Sequence, residues 1–557
     1  MLAEVVSKRV GWLVGFAILI VTVVVTPNST LDPINVPKLW MLSAFGFAAF
    51  FMLTGNAKVL ANQKNRILVI SILSLPIFMF LGIFFTNSTI NREFFGTYGR
   101  NTGFLTYFSF ASIALLLAIT RAEKARNKIA LGVSGAIGVN AIYGFIQAIG
   151  KDPQSWVISY TPVFGTLGNP DFISAFLGFG AAFPLAYLFS KSTNLITKLL
   201  CGLYIPISLF DIYKSGSQQG LIVFAIVLGL VVYFEIRNLV KAKAVHMFYL
   251  ALFFIAGVVA ILGTLQKGPL ADLIYRSSVS VRGYYWNAGI KMISENPLFG
   301  VGLDSYGDWY RSSRSILATE SNASVVSNSA HNVFIDIAAT AGLPALFAYL
   351  AFIFLALKSS WKIYKKNEKL DPFFISVFVA WMGYLAQSTI SINNLALAIW
   401  GWVLPGLLIG MERSQRLQNL ESSTRIKKNL NENIKLDFSG MLMTAGLVIG
   451  ASVGFIPFNA DANFRHSIET GNPTSIFAAA KKWPSDTSRL LYGALLFQSN
   501  KFDKQAFDLA QLAVKQNPRS FEAWDFISKS PLATEAEKKQ AINEMVKLDP
   551  FNKTIKP

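Results

Sequence analysis

The residues able to do group-transfer chemistry sit in a few polar stretches between long apolar runs. His331 and Asn332 open "SAHNVFIDIAATAGLPALFAYL", and Arg282 stands in "SVSVRGYYW". Arg92 and Arg100 lie in "NREFFGTYGRNTGFLTY", and Asn169 and Asp171 in "VFGTLGNPDFISAFL". Lys214, Ser217, Gln218 and Gln219 share "YKSGSQQG". The set is rich in arginine and holds one histidine. A guanidinium forks onto phosphate with fixed bidentate geometry, and a neutral imidazole accepts a proton from a hydroxyl near pH 7. Together they suit an alcohol attacking a carbon whose leaving group is a phosphate, with arginine stabilising the growing charge. The three histidines (His246, His331, His466) are far apart in sequence, and the stretches facing the same side contain no D-x-D pair. Neither a metal site nor another cofactor is expected.

Each residue also has a plain structural reading. A histidine at a helix entry serves as a polar cap, and an arginine ahead of aromatics anchors at a membrane interface. Asn169-Pro170-Asp171 has the form of a turn and N-cap. Asp304 and Asp308 are weaker acid/base candidates, and Arg311 and Arg314 in "WYRSSRS" read as a solvated face.

The elements that position these residues are membrane helices. The 557-residue chain is 53% hydrophobic and 15% charged, with a mean hydropathy of +0.45, against about 25% charged in soluble domains. A span needs roughly 20 mostly apolar residues. About thirteen runs meet that need, near 11–26, 37–55, 67–86, 103–120, 129–149, 171–190, 196–213, 219–236, 246–265, 332–357, 373–391, 394–412 and 438–458. The fold class expected is an all-α polytopic bundle of about 12–13 spans. The first run ends without a small-residue cleavage site and reads as a retained helix. Every second loop is basic, among them "RAEKARNK", "RNLVKAK", "KSSWKIYKKNEK" and "RIKK". By the positive-inside rule these loops and the N-terminus are cytoplasmic; His331 and the C-terminus are extracytoplasmic. The same rule accounts for the net charge of +19 without nucleic acid as a partner. The single cysteine, Cys201, excludes an internal disulfide.

Four regions follow: N-terminal spans over 1–265, a long extracytoplasmic loop over 266–331, C-terminal spans over 332–458 and a soluble helical unit over 459–557. The loop is too long for a connector and too aromatic for disorder. It reads as a folded, partly helical cap, with one helix stopping before Asn296–Pro297. The tail carries helical spacing that stops at Asn517–Pro518 and again at Asp549–Pro550. That spacing resembles a degenerate tetratricopeptide array. It reads either as a docking surface for a protein partner or as a helical unit without one.

"HNVFIDIAATAGLPALFAYL" resembles the signature of the superfamily of bacterial O-antigen ligases, O-antigen polymerases and protein O-oligosaccharyltransferases. Arg282, Trp286, Ala288, Ile290 and "NPLFGVGLDSY" resemble its long-loop motif, and "FGTYGRNTGFLTY" and "GTLGNPDFISAFL" its earlier loop motifs. The resemblance runs over roughly residues 10–412, and fusion to a tetratricopeptide-like tail also occurs in the superfamily. It implies a multi-pass glycosyltransferase of the bacterial plasma (inner) membrane, acting in cell-surface polysaccharide or glycoconjugate synthesis. The donor would be a polyprenyl-diphosphate-linked glycan and the acceptor a lipid, protein or glycan chain. Displacement would be metal-independent and inverting. On that resemblance His331 is the acceptor-side base or orienter and Arg282 the diphosphate holder, with Arg100 supporting the same pole. Asn169, Lys214, Gln218, Gln219 and Asn332 would line the donor or acceptor site. One departure stands out: members often carry Ser-Arg-Gly where this chain has "SGSQQG". A chain polymerase would use the same chemistry. A lipid-linked glycan transporter would place charges at mid-membrane, where this chain has few, and an inactive scaffold would not depend on His331.

Overall fold

The computed structural model describes residues 1–156, 163–269, 277–423 and 437–555. The basic stretch at 425–428 and positions 270–276 of the long loop lie outside the described residues. Every regular element among the described residues is helical. This is what a bilayer demands, because a backbone crossing hydrocarbon must satisfy its own hydrogen bonds. Among the described residues, eleven helices are long and apolar enough to cross a membrane. The two remaining expected spans form the shorter helices Phe104–Ala118 and Pro372–Ser388. Both are almost wholly buried inside the bundle.

Burial sorts the bundle into centre and rim. The apolar window of Leu395–Leu420 is entirely buried, whereas none of that of Lys243–Gly263 is. Trp400 and Trp402 at the centre pack edge-to-face or stacked against Phe176, Phe179, Phe110 and Phe352. Close approach elsewhere rests on small residues. Gly446, Gly450 and Gly454 repeat every fourth residue along Ser439–Thr470. A Cβ at any of them would meet the helix Asn35–Thr54 at 2.3–2.8 Å, the small-xxx-small contact of membrane helices.

Two features place the site. The first is a break in Val333–Lys366 at Gly342, whose φ of 87° and ψ of 168° are open only to glycine. The break frees carbonyls that the long loop then satisfies. Val301 N–H donates to the Ala339 carbonyl at 2.9 Å, Gly302 N–H to Thr340 at 3.1 Å, and Leu343 N–H to Pro297 at 2.8 Å. The segment "NPLFGVG" is thereby seated in the opened helix, as buried backbone groups require. The long loop adds the helices Ser277–Glu295, Tyr306–Ser313 and Ile316–Ser321, and the first stops before Asn296–Pro297 as expected.

The second feature is the C-terminal unit. Ser439–Thr470 runs unbroken through the expected boundary at 458/459 and enters a unit of five further helices. Helices end at Gln516 and Leu548, one residue before the asparagine and aspartate that precede proline. Phe464, Leu490, Phe497 and Leu509 form its core. Arg311 and Arg314 are not the solvated face expected of them. The Arg314 side chain is fully buried, and its Nη2 donates to both carboxylate oxygens of Asp549 at 2.9 and 2.7 Å. Arg311 reaches Glu522 at 3.0 Å and stands over the Phe521 ring. Local sequence shows polar residues at a helix end; the unit docked onto them lies more than 200 residues away.

Candidate functional site

The loops bearing the candidate residues meet at one end of the bundle, the end that carries the C-terminal unit. His331 precedes the helix Val333–Lys366 in left-handed backbone, with φ 49°. Its N–H donates to Ser329 Oγ at 3.0 Å, and the preceding Ala330 N–H donates to Asp336 Oδ1 at 3.0 Å. Its ring lies against Tyr285, centroids 5.3 Å apart. Burial, with the nearby Arg282 and Arg100 guanidiniums, pushes its pKa down to about 4 against the opposing pull of Asp171. The ring is therefore neutral at pH 7 and free to accept a proton.

Arg282 is half-buried on Ser277–Glu295, one turn before Tyr285. Asp171 and Tyr285 act on it electrostatically while burial lowers its pKa. Asp171 also accepts from Ser217 Oγ at 2.6 Å. The stretch after residue 163 and the "SGSQQG" turn thus converge on Arg282 and His331.

Arg100, expected to support the diphosphate pole, lies within electrostatic range of His331. It is buried, and its Nη1 donates to the Asn328 carbonyl. Its Nε and Nη2 face Asp304 and Asp336 at 3.8 and 3.7 Å. Its Nη1 holds the segment leading to His331, while Nε and Nη2 are buried beside the two carboxylates without a hydrogen-bond partner among the described residues. Asp304 is the hub of this support. Its Oδ2 accepts from Thr97 N–H and Thr102 N–H, each at 2.9 Å, and its Oδ1 from the Thr102 hydroxyl. Five non-glycine residues have left-handed backbone among the described residues. Three of them, Asn101, Asp304 and His331, belong to this cluster. Strained backbone of this kind concentrates at functional sites.

The remaining candidates divide. Asn169 caps its helix, accepting from Asp171 N–H at 2.8 Å. Asn332 caps the next by accepting from Phe334 and Ile335 N–H, and donates to the Thr389 carbonyl at 3.0 Å. Gln219 is buried and donates to Gln387 Oε1 at 3.3 Å, joining two helices. Gln218 is half-buried in the first turn beside it. Lys214 is exposed, with its ammonium over Phe210 of its own helix. The sequence reading missed Tyr285 and Asp336. Tyr285 had a local signal, since it lies three residues after Arg282 on one helix face. Asp336 had a weaker one, as an acid in the first turn after His331.

Among the described residues no group of three or more histidine, cysteine, aspartate or glutamate side chains has the arrangement of a metal site. The cations of the site are guanidiniums, which suit a phosphate-bearing ligand. No curated protein matches the chain. Residues 203–350 match the family model described as O-Antigen ligase, a span that opens beside the "SGSQQG" turn and closes in the kinked helix. The chain is a multi-pass membrane protein whose residues 203–350, the stretch that holds Gln218, Arg282 and His331, are similar to the O-antigen ligase family.

Proposed function

We propose that the protein transfers a glycan from a polyprenyl-diphosphate carrier to an acceptor hydroxyl on the extracytoplasmic face of the bacterial plasma membrane. The observation that carries this reading is the placement of His331, in left-handed backbone with its ring against Tyr285, one helical turn from Arg282. The acceptor oxygen attacks the anomeric carbon as the bond from that carbon to the diphosphate oxygen breaks, inverting the centre. His331 takes the hydroxyl proton. The diphosphate leaves with the electron pair, held by Arg282, whose charge counts most in the transition state. A carrier tail in the bilayer puts the diphosphate at membrane-surface height, which is where a base at a helix mouth stands. Ligation to a lipid or protein and extension of a glycan chain use the same groups and differ only in acceptor. The C-terminal unit, read as tetratricopeptide-like, offers a helical surface for a protein partner.

The test is glycan transfer in purified membranes supplied with polyprenyl-diphosphate glycan, with lipid, peptide and glycan acceptors in separate arms. Wild type is expected to transfer with or without EDTA, because the phosphate is held by arginine. His331→Ala is expected to lose 100-fold or more, on the order of what general-base catalysis contributes. Arg282→Ala should lose a similar factor. Undiminished transfer by His331→Ala would remove the assignment.

A further inference from the structure

We propose that Asp549 is a positioning residue for His331, and that the C-terminal unit acts through it as a clamp that completes the site. The inference rests on the transfer reading above. The helix Tyr306–Ser313 has two working faces. Its inner face presents Tyr306, whose hydroxyl donates to the Tyr285 carbonyl, and Tyr310, whose ring meets Tyr285 edge-on at 5.6 Å. Tyr285 in turn carries the His331 ring. The outer face belongs to the C-terminal unit. Asp308 pairs with Arg92 and accepts from Asn517 Nδ2 at 2.9 Å. The Arg519 guanidinium stacks on Trp309 at 3.6 Å and donates to Ser312 Oγ at 2.7 Å.

Asp549 closes this arrangement. It ends the last helix, is fully buried, and takes the Arg314 fork on both carboxylate oxygens. Arg314 also donates to the carbonyls of Ala323 and Val325, each at 3.0 Å. Those carbonyls lie on the segment that runs into Ser327–His331. One ion pair therefore fixes the end of the supporting helix and the approach to the histidine. A buried bidentate pair with its donors satisfied is geometrically exacting. Without Asp549 the Arg314 fork has no carboxylate to hold it against the Ala323 and Val325 carbonyls, and the tie between the helix end and the 323–331 segment loosens.

The test compares Asp549→Asn with wild type and with Glu544→Gln, which alters only an exposed pair with Lys547 on the same helix. Transfer kinetics, a pH profile and hydrogen–deuterium exchange over 323–332 are measured on the full-length protein. Asp549→Asn is expected to lower kcat by about tenfold or more with donor KM within about threefold, since the donor-holding Arg282 is untouched. The acidic limb of the profile should move up as the His331 ring gains water, and exchange over 323–332 should quicken. Asp549→Glu should recover part of kcat, and Glu544→Gln should match wild type. If Asp549→Asn does not fold, Arg519→Gln, which removes the stack on Trp309, gives the same readouts. Unchanged kcat, limb and exchange in the folded variant would overturn the clamp. Quickened exchange in Asp549→Asn, with His331→Ala still transferring glycan, would leave the structural tie standing and overturn the role of His331 in transfer.

Discussion

Gly342→Ala tests whether the break in the helix after His331 builds the site. An added Cβ would lie 2.1 Å from the Leu298 carbonyl oxygen and 2.8 Å from the Phe299 nitrogen. These are backbone atoms, with no flexible side-chain end to swing aside. The backbone at φ 87°, ψ 168° adds strain of about 1–3 kcal/mol for a residue with a side chain. Moving Leu298 away threatens three hydrogen bonds: Leu343 to Pro297, Val301 to Ala339 and Gly302 to Thr340. Each contributes about 0.5–1.5 kcal/mol net. The cost expected is about 3–7 kcal/mol, at the severe end for one substitution. The control is Gly202→Ala, a helical position where a Cβ meets nothing within 4 Å. It should be neutral or stabilising by up to about 1 kcal/mol. Thermal unfolding of both variants in detergent, followed by size-exclusion of the heated samples, reads the difference. Gly342→Ala should melt several degrees lower and lose transfer, because Asp304 and the helix Tyr306–Ser313 follow directly from the displaced segment. Equal melting of the two variants would refute the claim that loop docking requires the break.

Three further outcomes follow from the site. The fold depresses the His331 pKa to about 4, so the folded protein binds fewer protons than the unfolded chain between about pH 6.5 and 4. The stability from keeping this ring neutral is fully present above about 6.5 and declines as pH falls toward 4; pH-dependent melting of wild type and His331→Gln separates this contribution from the rest. The acidic limb of transfer belongs nearer 4 than 6.5, and a limb at or above 6.5 would contradict a buried neutral ring beside guanidiniums. Asp304→Ala leaves the N–H groups of Thr97 and Thr102 without their acceptor and removes one acidic neighbour of Arg100. A loss of about 3–5 kcal/mol is expected, with Asp304→Asn losing less; equal melting of the two would show that the carboxylate is dispensable.

The sequence by itself determined what depends on local composition. Among the described residues the apolar runs became helices because hydrocarbon leaves a backbone no other way to satisfy itself. Helices stopped before Pro297, Pro518 and Pro550 because proline restricts the residue ahead of it. The similarity to the O-antigen ligase family was legible because "HN…AGLP" and "NPLFGVG" carry residues that the local backbone requires, above all Gly342. Tertiary structure decided what depends on partners distant in sequence. The sequence shows Arg100 as a free cation in a loop; the fold sets Asp304 and Asp336 beside it and gives its Nη1 the Asn328 carbonyl. Arg314 looked solvated, but Asp549, 235 residues away, takes it out of water. A guanidinium written in a sequence has no address; only the fold sets whether a phosphate, a carboxylate or water meets it. The depressed pKa of His331 has the same origin, since burial and the approach of Arg282 and Arg100 exist only once separate loops close over one end of the bundle.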